Sequence, residues 1–417
     1  MSQPRRIGRG TALIVGVIAV AINLRPAVAS VGPALDDIQA SLRLSSTAAS
    51  VITAAPVFCF GLLAPTGPWL SRRLGLRQAI AVLMAILVIG LTVRLGPDQV
   101  TLFAGTLVAA FAIAALNVVT PALVKLDFPE RTGLVMGCYT TALTGAAAAA
   151  AGLTVPLGRH LGGGWRTGLG CWAVLALIGL AGWAPFAWRR ESLVPQQPYA
   201  ALRRDPMAWL VTGYFGLQSL SFYTVLSWLP TIFIDHGDST TRAGALLSLS
   251  ALTQMPVALV VPVLAARARR QSGLTLLSAI LTAAGLLGIL LARGSLPWLW
   301  VVILGIGQGA AFPLALMLIV QRAPEPAAVT PMSSMVQSVG YILAAFGPLL
   351  AGLLHATAGS WSPSLVLLIV LLVPQAVCGL LAGRPRQTAT AYLESPTGSM
   401  ARVGRRDSSR TLGSEGN

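Results

Sequence analysis

Twelve long apolar runs, separated by short charged or Pro/Gly-rich connectors, occupy almost the whole chain. A helix needs about 20 apolar residues to cross the roughly 30 Å hydrocarbon core of a bilayer, and each run is close to that length. The hydrocarbon core of the bilayer offers no hydrogen-bond partner for backbone amide and carbonyl groups, so such runs cross it as helices, in which these groups bond to each other. The sequence therefore predicts an all-α integral membrane protein with a bundle of 12 transmembrane helices, at 11–35, 45–69, 78–95, 99–122, 133–157, 166–188, 208–234, 243–266, 274–292, 298–321, 331–354 and 361–383.

The composition excludes most other classes of protein. Charged residues make up 10% of the 417 residues and hydrophobic residues 55%, whereas soluble domains carry about 25% charged residues. A soluble enzyme, a disordered chain and a disulfide scaffold are excluded. The net charge of +16 does not indicate nucleic-acid binding, because the arginines are spread over short connectors that would face anionic lipid headgroups. The four cysteines form no Cys-x-x-Cys pair or Cys/His cluster and no ATP-binding motif is present, so no metal and no cofactor are predicted.

The distribution of basic residues predicts the orientation. Most of the 29 lysines and arginines fall in connectors on the same side as both termini, and cytoplasmic loops hold the excess of such residues. We therefore expect a multi-pass protein of a bacterial cell membrane with both termini in the cytoplasm. An alternative is a secretory signal peptide that ends near Ala27-Val28-Ala29. Arg25 just before that site is unusual for such a signal, and removal of the first run would leave an odd number of helices.

The chain also divides into two similar halves. The connector at 71–78 has a counterpart at 266–271, and the segment at 128–131 has one at 323–326, both offset by about 195 residues. Internal repeats of this kind are common in transporters. The predicted domains are a cytoplasmic N-terminus at 1–10, a six-helix domain at 11–188, a cytoplasmic linker at 189–207, a second six-helix domain at 208–383 and a disordered tail at 384–417.

Three short motifs connect the chain to a known family. The first run contains Asn-Leu-Arg-Pro at 23–26 and Ser-Val-Gly-Pro at 30–33; the seventh contains 216–219 with 228–230, and the eleventh 337–341 with 347–348. Over residues 11 to about 383 these segments resemble the cyanate and 2-nitroimidazole transporter family of the major facilitator superfamily. The resemblance implies two six-helix domains around a central cavity, transport by alternating access, no enzymatic activity and a monomer that needs no partner chain.

The connector between the second and third runs departs from the superfamily's pattern. That pattern reads Gly-x-Leu-x-Asp-Arg-x-Gly-Arg, and here Leu70, Arg73 and Gly75 keep their places while Arg72 replaces the acidic residue. The resemblance implies a cytoplasmic gate here without the usual acidic latch. We expect Asp127 and Glu130 to pair with Arg73 or Arg131 at this gate. The gate candidates are Arg72, Arg73, Gly75, Arg77, Asp127, Glu130 and Arg131.

Arg25 is the clearest charged residue inside an apolar run. Counted from Thr11 at about 1.5 Å per residue, it lies roughly 21 Å into the core. A charge at that depth usually faces a partner or a watery cavity, and the planar guanidinium suits carboxylates or delocalised anions. The alternatives are that Arg25 extends toward the headgroups or binds carbonyl groups freed near Pro26.

Other polar side chains on apolar runs are further candidates for substrate contact. Gln337 and Tyr341 are four residues apart and share a helix face, whereas Asn23 faces away from Arg25 unless Pro26 distorts the turn. Each could instead form a structural hydrogen bond between helices. The substrate-binding candidates beside Arg25 are Asn23, Asn117, Gln218, Tyr223, Gln308, Gln337 and Tyr341, and the candidates for helix packing or bending are Pro26, Gly145, Gly152, Gly340, Gly347 and Pro348.

These observations predict a transporter of small solutes in a lipid bilayer. With Arg25 as anchor, the substrate would be a small anionic or acceptor-rich organic solute, cyanate-like or a small carboxylate. The alternative is a proton-linked exporter of drug-like or nitroaromatic compounds. No carboxylate or histidine lies well inside an apolar run, so proton coupling, anion-linked co-transport and facilitated diffusion all remain open.

Overall fold

The computed structural model describes residues 4–188, 202–291 and 295–385, and within these ranges it is helical with no strand. Among the described residues, eleven helices are long and apolar enough to cross a membrane, or twelve if a pair of helices bent by 55° counts as one. Most of the predicted tail and most of the predicted linker lie outside the described ranges. We number the crossing segments span 1 (Gly10–Leu42), span 2 (the bent pair Ala48–Leu63 and Thr66–Leu74), span 3 (Leu76–Val93), span 4 (Gln99–Asp127), span 5 (Thr132–His160), span 6 (Gly164–Ala187), span 7 (Pro206–Asp235), span 8 (Thr240–Arg267), span 9 (Ser272–Leu291), span 10 (Pro297–Arg322), span 11 (Pro326–Ala358) and span 12 (Ser362–Ala382).

Short polar side chains set where several of these helices begin. Ser45, Asp98, Asp205 and Ser239 each accept a hydrogen bond from a backbone amide in the first turn that follows, before spans 2, 4, 7 and 8. These bonds satisfy amides that have no partner inside the helix. The charged connectors therefore end one apolar run and start the next within a few residues.

Span 1 is interrupted close to its middle. Its first helix, Pro4–Asn23, ends just before Arg25, and a second short helix runs over Pro26–Ala29. Pro26 has no amide hydrogen to continue the hydrogen-bond ladder. A 3₁₀ turn at Gly32–Ala34 and a helix at Leu35–Leu42 complete the span. The break places Arg25 at the junction between two helical segments.

Spans 4 and 10 occupy the centre of the bundle. In their most apolar stretches 83% and 78% of the residues are buried, against 28% to 50% for the other unbent spans. The remaining spans therefore present much of their surface to lipid, whereas spans 4 and 10 are enclosed by other helices. Spans 1–6 form one half of the molecule and spans 7–12 the other.

The two halves meet tightly at one end of the bundle, where span 1 begins and span 12 ends; we call this end the terminus face. Every residue in the parts of spans 4, 10 and 11 nearest that face, at 112–124, 313–320 and 327–338, is buried. Span 5 lies directly on span 8 there, because a Cβ atom on Gly137 would lie 2.5 Å from the Leu259 carbonyl oxygen. Farther along span 5, a Cβ atom on Gly152 would have no neighbour within 4 Å. The terminus face is closed, and this contact ends toward the opposite face.

Candidate functional site

Arg25 lies between the two halves of the molecule. Its Nη1 donates a hydrogen bond to the hydroxyl of Tyr223, on span 7, at 3.1 Å. Its Cζ lies 5.3 Å from the ring centroid of Phe312, on span 10, which is the geometry of a cation–π contact. The break before Pro26 carries the Arg25 side chain toward spans 7 and 10, so residues from both halves build one site.

Five aromatic rings from four spans pack beside Arg25; we call them the aromatic cluster, namely Phe60, Phe215, Tyr223, Phe312 and Tyr341. Tyr341 is central, with its ring centroid 5.5 Å from that of Phe60, 5.2 Å from Phe215 and 6.4 Å from Tyr223. The cluster gives the site flat apolar walls, two hydroxyl groups and one guanidinium. The two tyrosines were predicted from the sequence but the three phenylalanines were not, because an apolar ring inside an apolar run does not differ in polarity from its neighbours.

No carboxylate of the described residues pairs with Arg25. The ion pairs found there are Arg77 with Asp127, Arg242 with Asp238, and His355 with Asp235, if that histidine is protonated. A hydroxyl group and a ring face compensate a guanidinium charge only partly, and Arg25 is partly exposed. The positive charge of Arg25 is therefore only partly compensated by the described residues around it.

A polar network joins spans 4, 5 and 11 beside the site. The hydroxyl of Tyr139 donates to the Asn117 side-chain oxygen at 3.4 Å. Gln337 Nε2 donates to the Asn117 backbone oxygen at 3.1 Å and to the Ser333 hydroxyl at 2.7 Å. The buried hydroxyl of Ser334, on the same part of span 11, has no hydrogen-bond partner. Asn117 and Gln337 therefore connect the halves to each other, and both are buried.

Three further candidates bond within their own half. Gln218 donates to the Ser219 hydroxyl at 2.6 Å, and Gln308 lies 3.5 Å from the Ser221 hydroxyl. Asn23 donates to the Ala19 carbonyl at 2.8 Å and lies against Gly179 of span 6. The structure brings Tyr223 and Tyr341 to Arg25, and it does not bring Asn23 there.

The packing candidates fall into two groups. A Cβ atom on Gly340 or Gly347 would lie 2.4 Å from side-chain atoms of span 7, so these glycines allow spans 7 and 11 to touch, and the Pro348 carbonyl accepts a bond from the Trp228 indole at 2.9 Å. On span 5, a Cβ atom on Gly145 would lie 3.0 Å from Met255, whereas a Cβ atom on Gly152 would have no neighbour within 4 Å.

The predicted gate region contains one ion pair. Arg77 Nη2 lies 2.7 Å from an Asp127 carboxylate oxygen. Asp127 therefore pairs with Arg77, and among the described residues neither Arg73 nor Arg131 forms the expected ion pair with it. Arg73 stacks over Trp69, with its Cζ 4.6 Å from the ring centroid. Gly75, at φ 80°, turns the chain between spans 2 and 3. The remaining gate candidates, Arg72, Glu130 and Arg131, are exposed and form no ion pair among the described residues.

Two basic residues that were not among the predicted site residues have structural roles. Lys125 Nζ donates to the Val320 carbonyl at 2.7 Å and to the Ala323 carbonyl, in the last turn of span 10 and just after it. This bond joins the two halves at the terminus face. Arg94, near the end of the third predicted run, is 0% exposed. Its Nη1 donates to the Ala27 carbonyl of span 1 at 2.7 Å.

Comparison with known proteins gives a consistent result. The Major Facilitator Superfamily model matches residues 11–345. The chain is 39% identical to the uncharacterized transporter YycB of Bacillus subtilis (strain 168), over 90% of this chain and 94% of that protein. In Escherichia coli (strain K12) it is 33% identical to the 2-nitroimidazole transporter, over 90% and 96%, and 30% identical to the cyanate transport protein CynX, over 84% and 91%.

Solved structures show the same fold. The proton:xylose symporter XylE bound to 6-bromo-6-deoxy-D-glucose superposes with a TM-score of 0.74 at 11% identity, over 88% of this chain and 94% of that chain. FucP in the outward conformation superposes with a TM-score of 0.72 at 13% identity, over 89% and 99%. The chain is not an enzyme but a multi-pass membrane transporter, and it belongs to the major facilitator superfamily.

Proposed function

We propose that this transporter carries a small planar anion, such as cyanate or a small carboxylate, across a bacterial cell membrane by alternating access, with Arg25 as the anion anchor. The observation that carries the proposal is the position of Arg25. Its guanidinium lies between the two halves, and its hydroxyl and ring partners leave its charge uncompensated among the described residues. A carboxylate-like anion supplies the missing charge and accepts hydrogen bonds from the planar fork.

The shape of the site limits the substrate. The rings of Tyr223, Phe312 and Tyr341 leave flat apolar surfaces beside the guanidinium, and such surfaces favour planar, delocalised solutes over bulky hydrated ones. The names of two relatives agree with a small planar solute, because one is a cyanate transport protein and the other a 2-nitroimidazole transporter. Tyr223 and Tyr341 are the side chains that we assign to substrate contact beside Arg25.

The closed terminus face suggests which state of the transport cycle this is. We assign that face to the cytoplasm because the arginine-rich connectors, the start of span 1 and the end of span 12 are on it. The conformation is then outward-facing, and the domains at 11–188 and 208–383 rock against each other around Arg25 in a single chain that acts as a monomer.

A second candidate function is export of neutral nitroaromatic compounds. The aromatic cluster supports it, since five rings can stack on such a compound without help from a charge. The two candidates differ in what they require of Arg25. Anion transport needs its charge, whereas stacking of a neutral ring does not.

Thermal stabilisation of the purified protein separates the two. Wild type, Arg25→Gln and the control Arg166→Gln would be melted with cyanate, benzoate or neutral 2-nitroimidazole, since a ligand of the folded state raises its stability, by about 2.7 kcal/mol at 100 times Kd. We expect an anion to raise the melting temperature of wild type and Arg166→Gln but not of Arg25→Gln. Equal stabilisation of all three by 2-nitroimidazole, with none by the anions, would contradict anion transport and support the exporter.

A further inference from the structure

Arg94 is a buried arginine outside the proposed anion site. It follows span 3 and is 0% exposed, and a Cβ atom on Gly105 of span 4 would lie 2.3 Å from its backbone nitrogen. No carboxylate among the described residues pairs with it. Burial of a charge without a counter-charge costs free energy. The role of Arg94 therefore depends on which groups its hydrogen bonds hold in place.

Those bonds converge on the segment that follows Arg25. In a continuous helix the Val31 amide would bond to the Ala27 carbonyl. Here the Val31 amide bonds to Val28 at 3.3 Å, and Arg94 Nη1 takes the Ala27 carbonyl at 2.7 Å. Arg94 therefore replaces a backbone donor that the broken span has lost.

The second nitrogen of the fork extends the same attachment. Arg94 Nη2 lies 3.5 Å from the Ser30 hydroxyl and 3.4 Å from the Leu169 carbonyl of span 6. One side chain thus joins spans 1, 3 and 6 at the short helix Pro26–Ala29. Arg25 is the N-cap residue of that helix, and its carbonyl accepts the amides of Val28 and Ala29. A shift of the helix would carry Arg25 with it.

We propose that Arg94 is a positioning residue for the anion site: it fixes the short helix Pro26–Ala29 against spans 3 and 6, so that the Arg25 guanidinium stays at Tyr223 and Phe312. This inference rests on the proposed function of Arg25. Arg94 does not touch the substrate; it acts through the backbone two residues from Arg25. Loss of Arg94 then weakens anion binding only in a protein whose Arg25 binds the anion.

A double-mutant cycle tests this dependence. The affinity for benzoate would be measured by isothermal titration calorimetry on wild type, Arg94→Met, Arg25→Lys and the double variant, with Arg166→Met as control. Arg166 is a matched choice because it also binds carbonyl groups, those of Gly96 and Pro97, but none in span 1. We expect Arg94→Met to raise the Kd about tenfold in the wild-type background and less than about twofold in Arg25→Lys, and Arg166→Met to change it little.

The melting temperature without ligand separates positioning from stability alone. If Arg94 only stabilises the fold, Arg94→Met melts earlier but its folded fraction binds benzoate as wild type does, and the inference is overturned. An equal rise in Kd in both backgrounds also overturns it, since Arg94 would then act independently of Arg25. If Arg94→Met does not fold, Arg94→Lys, which keeps the charge and one donor for Ala27, takes its place with an expected rise of about threefold.

The cycle also distinguishes failure of the inference from failure of the proposed function. A Kd unchanged in Arg25→Lys and in Arg25→Gln would show that Arg25 does not bind the anion, and the positioning role would fall with it. A Kd raised in both Arg25 variants but unchanged in Arg94→Met would leave the anion site in place and refute the role of Arg94 alone.

Discussion

Replacement of Lys125 by methionine should open the terminus face. Lys125 Nζ donates to the carbonyl groups of Val320 and Ala323 across the two halves, and its positive charge lies at the C-terminal end of span 10, where it is favoured by the helix dipole. Methionine keeps the length and apolar character of the side chain but donates no hydrogen bond. The closed state loses this stabilisation, and the open state, in which Lys125 would be hydrated, loses little.

The size of the effect follows from these two bonds. A hydrogen bond from a charged donor contributes about 1.5–3 kcal/mol when buried. Lys125 is only partly buried, so we take about 1.5–2 kcal/mol for both bonds together, after discounting for solvent. That free energy corresponds to a shift of about 10- to 30-fold in the ratio of open to closed molecules.

The assay uses a cysteine at Ser334. This residue is 0% exposed and its hydroxyl has no partner, so Ser334→Cys is nearly isosteric and should react with N-ethylmaleimide only when the terminus face opens. Peptide mass spectrometry would follow labelling, with the native cysteines as internal references. We expect the labelling rate in Lys125→Met to rise about tenfold or more.

Two controls make the result decisive. Arg73→Met removes a positive charge from the same face, but Arg73 is exposed and stacks on Trp69 within its own half, so labelling at Ser334→Cys should stay as in wild type. Lys125→Arg retains the charge and should stay closer to wild type than Lys125→Met. A labelling rate in Lys125→Met no higher than in wild type would refute the idea that Lys125 holds this face closed.

Three further outcomes follow from the same structure. Gly137→Val should separate spans 5 and 8 and raise labelling at Ser334→Cys, because a Cβ atom at Gly137 would lie 2.5 Å from a span 8 carbonyl oxygen. Gly152→Val should not raise labelling, because a Cβ atom there would have no neighbour within 4 Å. Equal labelling in the two variants would contradict the close contact between spans 5 and 8. Arg77→Gln should lower stability by about 1–3 kcal/mol, seen as an earlier melt, since it removes the ion pair between Arg77 and Asp127; an unchanged melting temperature would argue against a contribution of this pair. Tyr223→Phe should weaken benzoate binding about three- to tenfold in calorimetry by removal of one hydroxyl, while Phe222→Leu should not; if both variants bind as wild type does, Tyr223 does not contact the anion.

The fold could be predicted from the sequence because the spans are long and the contrast between runs and connectors is strong. The membrane requires about 20 apolar residues per span, and this length selects the same twelve segments in the sequence and in the structure. Pro26 also signalled a distortion in span 1, which the structure shows as a break after Asn23. The exact ends of the helices, such as the extension of span 4 to Asp127, depend on caps and charges beyond the apolar run.

The site could be predicted only in part. Arg25, Tyr223 and Tyr341 contrast with their apolar surroundings, so the sequence identified them. Phe312 does not, and which rings meet it depends on how spans from different halves pack. Arg94 was not identified, because a basic residue near the end of an apolar run is expected to reach water or headgroups, whereas here the side chain donates to backbone carbonyl groups of spans 1 and 6.

In two contacts between the halves, the sequence separation of the two residues bears on how the halves move during transport. Lys125 and Val320 are 195 residues apart, and Arg25 and Tyr223 are 198 apart, close to the offset that relates the two halves. In a two-fold arrangement a residue meets its own counterpart only near the symmetry axis. Both contacts therefore lie near that axis, Arg25 nearer to mid-depth and Lys125 at the terminus face. If the halves rock about a pivot at mid-depth, the displacement of a residue grows with its distance from that pivot. Arg25 lies nearer to the pivot, so its contact with Tyr223 is kept. Lys125 lies farther away, so its hydrogen bonds break in every cycle. The strength of the Lys125 contact should then set the turnover rate, and that of the Arg25 contact the affinity.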